Sequence, residues 1–238
     1  MITAVIAAGG KGTRMGAGIN KVYLYLGGMQ IIARTVSVFE KCDNIDEIVV
    51  VTGKNDIETF NKIIREYDFR KVAAVVCGGK TRVASVYNGL SHASGDMVLI
   101  HDGARALITE KEINDVIEDC KKHGAAALGV KCCDTLKYSE NGFISGTANR
   151  DTVYRIQTPQ AFYKKDIMLA HETAPDKNVT DDCALAEQLG IKIKITEGSG
   201  ENIKLTSPPD MIAATNILRW RYRKGNPPKL KIKHLLGD

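Results

Sequence analysis

The segment Ala7-Ala8-Gly9-Gly10-Lys11-Gly12-Thr13-Arg14-Met15-Gly16, running on to Asn20-Lys21, concentrates residue types that handle anions. Gly9, Gly10 and Gly12 follow an apolar run directly, so the backbone can approach a ligand closely and turn several N–H groups toward it. A polyphosphate needs such a cradle. Lys11, Arg14 and Lys21 add three cations within eleven residues. Phosphoryl and nucleotidyl transfer depend on positioning and on stabilising charge spread over equatorial oxygens. The segment is not a Walker loop, because the closing Gly-Lys-Ser/Thr is absent, and it is not the dinucleotide fingerprint Gly-x-Gly-x-x-Gly.

Other candidates lie far away in sequence. Asp102 closes the apolar run Asp96-Met97-Val98-Leu99-Ile100-His101. A lone carboxylate there can hold Mg²⁺, which keeps several waters and takes one or two protein oxygens plus phosphates. A helix N-cap is the competing role, but the next helical segment begins near Thr109, too far on. Gly78, Gly79 and Ser85 could read a base through backbone groups and a hydroxyl, although by themselves they describe only a generic ligand turn. Lys204 stands between Ile203 and Leu205, and alternation puts its ammonium opposite that apolar pair. The five histidines have no metal-ligand spacing, and no Ser/His/Asp set suggests a hydrolase. The six cysteines contain no C-x-x-C pair, so reduced, mostly buried thiols are expected.

The elements that must position these residues follow from hydrophobic period. Ile2–Ala8, Glu47–Thr52, Lys71–Val76 and Asp96–His101 read as buried strands, and Ile31–Lys41, Ile57–Tyr67 and Arg82–Ser91 as amphipathic helices. This alternation implies an α/β, Rossmann-like, mostly parallel twisted sheet with helices on both faces. Right-handed crossovers then gather the strand ends on one edge, where such folds bind ligands. Three of the four strands end at glycine-containing turns: Gly9-Gly10, Gly78-Gly79 and Asp102-Gly103. From Gly129 to Phe162 the pattern changes. Asp134–Tyr138 and Phe143–Ser145 flank Asn141-Gly142, a pairing that supplies the positive φ values of a tight hairpin. An isolated two-stranded arm is marginal in water, so it should pack on something else, expected to be a second copy of the chain.

The chain has 238 residues, 44% hydrophobic and 26% charged, which suits a soluble globular protein with one α/β core. A single domain is expected over 1–225, with the arm at about 134–156 inside it. Of 33 basic and 28 acidic residues, Arg219, Arg221, Arg223, Lys224, Lys229, Lys231 and Lys233 crowd the end. The stretch 226–238 therefore reads as a basic tail, solvated rather than bound to nucleic acid. No run approaches a spanning length, and no basic leader or cleavage site precedes the first strand. A cytoplasmic protein without membrane attachment is expected.

The glycine-rich segment, with Arg14-Met15 and Lys21, resembles the signature of sugar-phosphate nucleotidyltransferases. Further segments narrow the resemblance to the 2-C-methyl-D-erythritol 4-phosphate cytidylyltransferase family: Gly78-Gly79-x-x-Arg82-x-x-Ser85-Val86, His101-Asp102-Gly103-Ala104-Arg105, Asp134-Thr135-Leu136-Lys137, Gln157-Thr158-Pro159-Gln160-Ala161-Phe162, Thr180-Asp181-Asp182 and Glu197-Gly198-x-x-x-Asn202-Ile203-Lys204-Leu205-Thr206. They occur in the family's order and cover residues 2 to 217. The resemblance implies transfer of CMP from CTP to a small polyol phosphate in the non-mevalonate isoprenoid route, with Mg²⁺ as cofactor and Mn²⁺ as a substitute. It makes Arg14, Lys21 and Lys204 catalytic cations. Ala7, Ala8, Gly9, Gly10, Lys11, Gly12, Gly78, Gly79, Arg82, Ser85 and Gly103 become nucleotide-binding, and Asp102 the metal ligand. Arg105, Thr135, Arg150, Thr158 and Thr180 fall to the acceptor, with Arg150 reaching across from the partner's arm in a homodimer.

His101, beside Asp102, then reads as a core histidine, because an acceptor phosphate is already ionised near neutral pH. Three positions depart from the family pattern. Asn20 and Ala106 stand where proline is common, which should loosen their loops, and Asn149 stands where aspartate usually precedes the arginine. Ribitol-phosphate cytidylyltransferases share most of these motifs, so a ribitol-type acceptor is the rival substrate. A catalytically inactive nucleotide-binding regulator is the rival from outside the enzymes.

Overall fold

The computed structural model describes residues 1–10 and 20–223. Lys11, Gly12, Arg14 and the 226–238 tail lie outside the described residues. The chain begins with β1 (Ile2–Ala7), then a small hairpin, β2 (Tyr25–Leu26) and β3 (Met29–Gln30), leading into α1 (Ile31–Lys41). The alternation follows as expected: β4 (Glu47–Thr52), α2 (Ile57–Tyr67), β5 (Val72–Cys77), α3 (Arg82–His92) and β6 (Met97–Asp102). Then come α4 (Glu110–His123), β7 (Ala125–Lys131), the arm strands β8 (Lys137–Glu140) and β9 (Phe143–Thr147), and the long β10 (Tyr154–Tyr163). The last elements are α5 (Lys164–Thr173), α6 (Cys183–Gln188), β11 (Lys194–Glu197) and α7 (Pro208–Arg223).

Seven strands form one sheet in the order β11-β7-β10-β6-β1-β4-β5. β1 pairs in parallel with both β4 and β6, and β4 with β5. β10 runs antiparallel between β6 and β7, which makes the sheet mixed but mostly parallel. Successive residues of the central strands serve opposite faces, as the two-residue period of a strand requires. Ala4 and Ile6, Ile48 and Val50, and Leu99 pack on the face covered by α1, α2 and α4. Val5, Val49, Val51, Val98 and Ile100 pack on the face covered by α3, α5 and α6. A strand buried on both sides has no polar alternation to display, and the middles of β1, β4 and β6 are continuous apolar runs.

α4 starts with a capping box, in which Thr109 accepts from the Glu112 N–H and the Glu112 carboxylate accepts from the Thr109 N–H. The start of this helix is thereby fixed, seven residues past Asp102, and the intervening turn is free for another use. A smaller apolar cluster of Leu26, Ile31, Ala106, Leu107, Leu205 and Ala214 lies beneath that turn. It clamps α7 and the 203–206 stretch onto it. Ala106 is buried there, so the loop that lacks proline is held by packing instead.

The arm is an antiparallel hairpin, with Asn141 at φ 50° and Gly142 at φ 84° as the tight turn demands. Ladder pairing starts at Lys137, and the Ala148 N–H reaches back to the Leu136 carbonyl. Tyr138, Phe143 and Ile144 are exposed on it.

Candidate active site

The glycine turns meet because their strands are neighbours in register. Ala7 stands beside Val51 on one side and beside Asp102 on the other. Beyond the ladder, the Ala8 N–H donates to the Val51 carbonyl (2.7 Å), the Gly78 N–H to Thr52 (2.8 Å) and the Gly103 N–H to Ala7 (2.8 Å). A Cβ on Gly103 would meet Ile32 Cδ1 at 2.7 Å and the Ala7 oxygen at 3.1 Å. Only glycine lets the 102–105 turn lie this close to β1. The far end of the phosphate segment returns to the same place. The Asn20 carboxamide donates to the Ala8 carbonyl (3.1 Å) and accepts from the Val22 N–H (3.3 Å), capping the short 3₁₀ turn Lys21–Tyr23. Asn20 therefore ties Lys21 to the end of β1, where its replacement of proline had suggested a looser loop.

Asp102 is the centre of charge. Lys204 Nζ lies 2.9 Å from its Oδ2, and Arg105 Nε 3.5 Å from the same oxygen. Burial alone would raise the carboxyl pKa, but the charges of Lys204, Arg82 and Arg105 with the Lys204 hydrogen bond overcome it and hold the group at about 2. Asp102 is ionised at any physiological pH. Arg105 also donates from Nη1 to the Asn202 carbonyl (2.7 Å). Residues 202–206 are extended loop rather than a sheet strand, yet the alternation holds: Leu205 is buried and Lys204 outward, and the Leu205 N–H bonds to the Ala104 carbonyl (2.9 Å).

Gly78, Gly79 and Ser85 form one compact turn at the start of α3. The Ser85 hydroxyl donates to the Thr81 carbonyl (2.8 Å) and accepts from the Gly79 N–H (3.0 Å). A Cβ on Gly79 would lie 2.5 Å from Ala84 Cβ. Arg82, on the same helix, is anchored by a 2.7 Å ion pair to the fully buried Asp182, whose other oxygen receives His171 Nε2 at 3.1 Å.

The acceptor candidates divide. Arg105 sits at the carboxylate. Thr158 lies just below it, buried, its hydroxyl committed to the Asp102 N–H (3.0 Å) and the His101 ring (3.1 Å). Thr180 is exposed beside Asp181 and Asp182. Thr135 and Arg150 are exposed at the root of the arm, where Arg150 Nη1 donates to the Cys133 carbonyl (3.4 Å). Asn149, the third departure, caps the Arg150–Thr152 turn through the Asp151 N–H (3.2 Å).

Sequence reasoning gave no role to Asn202, Gln157 or Asp182. Asn202 is fully buried. Its backbone oxygen receives Arg105 and Gln157, and its side chain donates to the Thr158 carbonyl (3.0 Å). All three stand inside quoted motifs, which was the available signal.

Among the described residues no group of three or more His, Cys, Asp or Glu could hold a metal by itself. A single, permanently ionised carboxylate instead suits a hard cation whose remaining ligands are water and phosphate. A groove of about 780 Å³ between α4 and residues 196–201 is lined by six carboxylates (Glu112, Asp115, Glu118, Asp119, Glu197 and Glu201) against three cations (Lys111, Lys122 and Arg221). The excess of negative charge does not suit a triphosphate, and the groove is a different place.

Glycine turns on a parallel edge, around one ionised carboxylate gripped by lysine and arginine, define an α/β nucleotidyltransferase. The family model described as 2-C-methyl-D-erythritol 4-phosphate cytidylyltransferase matches residues 2–220. A relative of that name from Desulforamulus reducens is 42% identical over 226 residues, covering 92% of this chain and 97% of the relative. One from Alkaliphilus oremlandii is 44% identical over 225 residues, covering 92% and 95%. The crystal structure of 4-diphosphocytidyl-2C-methyl-D-erythritol synthase from Anaerococcus prevotii superimposes with a TM-score of 0.82 at 33% identity, covering 92% of this chain and 96% of that one. The chain belongs to the 2-C-methyl-D-erythritol 4-phosphate cytidylyltransferase family.

Proposed function

We propose that this chain transfers CMP from CTP to 2-C-methyl-D-erythritol 4-phosphate, giving 4-diphosphocytidyl-2-C-methyl-D-erythritol and pyrophosphate in the non-mevalonate route to isoprenoids. The observation that carries the reading is the junction of Asp102 with Lys204 and Arg105 at the edge where the glycine turns meet. In the proposed reaction an oxygen of the acceptor phosphate attacks the α-phosphorus of CTP in line. A new P–O bond forms, the bond from the α-phosphorus to the bridging oxygen breaks, and pyrophosphate leaves with that oxygen. Lys21, Lys204 and Arg14 supply positive charge to the equatorial oxygens of the α-phosphate. The N–H groups of the glycine loop after Ala8, with Lys11, hold the β- and γ-phosphates. The turn of Gly78, Gly79 and Ser85 reads cytosine, Arg82 is steered toward the nucleotide by Asp182, and Gly103 gives the backbone its close approach.

Asp102 would hold Mg²⁺, with Mn²⁺ able to substitute. There the ion would supply positive charge that offsets the charge of the triphosphate. Arg105 and Thr180 address the acceptor from the same chain, with Thr158 supporting them from beneath. Thr135 and Arg150 belong to the arm, whose exposed Tyr138, Phe143 and Ile144 suit burial against a second copy, so they would serve the partner's site in a homodimer. A cytoplasmic location is part of the same reading, and no described helix is long and apolar enough to cross a membrane.

A pyrophosphate-release assay with CTP tests this. Methylerythritol phosphate should support rapid release and ribitol phosphate little. Faster release with ribitol phosphate would overturn the acceptor, and CTP binding without release on either would overturn the enzyme. Lys21→Ala should lower kcat on the order of 10²–10³-fold while the KM for CTP changes much less. Near-normal turnover would remove Lys21 from its role.

A further inference from the structure

The proposed reaction leaves one buried group beside the site without a task. His101 precedes Asp102 in β6, is fully buried and packs with its ring centroid 5.0 Å from that of Phe39. An imidazole in such a place must satisfy both nitrogens, because each orphaned polar group costs about 1–3 kcal/mol. It finds its partners at the two ends of one turn. Nε2 lies 3.3 Å from the Arg105 carbonyl oxygen. A carbonyl only accepts, so Nε2 carries the proton. Nδ1 then carries no proton and is a bare acceptor, since charging a fully buried imidazole costs far more than leaving it neutral. Nδ1 stands 3.1 Å from the Thr158 hydroxyl, which therefore donates to it. The same hydroxyl oxygen accepts the Asp102 N–H at 3.0 Å. The turn closes on itself where the Arg105 N–H meets the Asp102 carbonyl at 2.9 Å.

We propose that His101 is a positioning residue that sets both ends of the 102–105 turn. Through Thr158 it fixes the backbone that aims the Asp102 carboxylate, and through the Arg105 carbonyl it fixes the backbone that aims the guanidinium. The inference rests on the reading that Asp102 faces the metal and Arg105 the acceptor. It goes beyond that reading by giving a core histidine two separable functions. No proton moves through the ring, since its task is geometric.

Two amide substitutions separate the ends. A carboxamide on the shorter arm of asparagine can occupy the place of Nδ1, and one on the longer arm of glutamine the place of Nε2. His101→Asn should keep the Thr158 link and lose the Arg105 link, raising the acceptor KM about tenfold with kcat and Mn²⁺ affinity little changed. His101→Gln should do the reverse. It should lower kcat about tenfold and weaken Mn²⁺ binding to the CTP complex, followed by electron paramagnetic resonance, with the acceptor KM near normal. Thr158→Val also removes the acceptor of the Asp102 N–H, so it should weaken Mn²⁺ binding at least as much as His101→Gln, and adding His101→Gln to it should change little further, because both act on one chain of bonds.

Identical kinetics in the two amide variants, or wild-type kinetics in both, would overturn the proposal. So would a Thr158→Val effect that simply adds to that of His101→Gln. Should neither amide variant fold, an unchanged Mn²⁺ affinity in Thr158→Val would by itself overturn the Asp102 end of the proposal. Asp102→Asn and Arg105→Ala run in parallel distinguish the two kinds of failure. If Asp102→Asn leaves Mn²⁺ affinity unchanged and Arg105→Ala leaves acceptor KM unchanged, the site reading has failed rather than the positioning role.

Discussion

Two carboxylates close opposite ends of the same central strands. Glu47 begins β4, opposite Thr3 of β1, and is 8% exposed; Asp102 ends β6, opposite Ala7, and is 9% exposed. Burial does not tell them apart, but their company does. Glu47 is met by neutral donors: the Thr3 hydroxyl (2.6 Å), the Ser94 N–H (2.8 Å) and the Ser94 hydroxyl (2.9 Å). These join β1, β4 and the turn before β6 and leave little capacity for anything else. Asp102 is met by cations on long side chains, and Lys204 is nearly half exposed. A cation of that kind can turn to an arriving phosphate, whereas a buried hydroxyl cannot leave its acid without being orphaned. The first pattern builds a sheet and the second builds a site.

The contrast is sharpest in substitution. Asp102→Asn should reduce kcat on the order of 10²–10³-fold, as loss of a central electrostatic contact does, in the protein that remains folded. Glu47→Ala should do the opposite. It strands the buried Thr3 hydroxyl and removes two further bonds from Ser94, so it should destabilise by about 1–3 kcal/mol, with kcat unchanged in what remains folded. If denaturant curves and kinetics gave the same ranking for both variants, the distinction would be wrong.

Acid separates the two ends further. Desolvation works to raise the Glu47 pKa, but the Ser94 and Thr3 hydrogen bonds bring it below its ordinary 4.5. The unfolded chain therefore takes up this proton more readily than the folded one. Stability from Glu47 is complete above about 4.5 and is lost as pH falls through the lower folded value. Glu47→Gln should flatten that part of the stability profile, which urea titrations between pH 3 and 6 would detect. The smallest effect concerns thiols. Cys77 and Cys133 are exposed, and Cys42, Cys120, Cys132 and Cys183 are buried, with desolvation pushing Cys120 up to about 12. Mass spectrometry after alkylation of the folded protein should find two labelled cysteines. CTP should slow labelling at Cys77, next to the turn proposed to read the base, and not at Cys133.

Much of this was legible from the chain. The strand bounds Glu47–Thr52 and the helix bounds Ile31–Lys41 and Ile57–Tyr67 match the folded elements residue for residue, because strong apolar periods and glycine stops leave few alternatives. The Asn141-Gly142 turn was equally clear, since few other pairs accept two positive φ values at low cost. The antiparallel insertion of β10 between β6 and β7 was not. Strand order depends on where a chain returns, and no local residue encodes it. Nor was the behaviour of Asn20, whose side chain does by hydrogen bonding what a proline would do by restricting its backbone.

The sequence determined the inventory: glycine turns at strand ends, cations near them, a carboxylate after an apolar strand, and motifs in one family's order. These are local properties of residue type and spacing. Tertiary structure alone decided the partnerships: that Lys204 meets Asp102 across a hundred residues, and that Thr158 turns inward to His101. Contacts between residues distant in sequence exist only once the strands are in register and both faces of the sheet are packed.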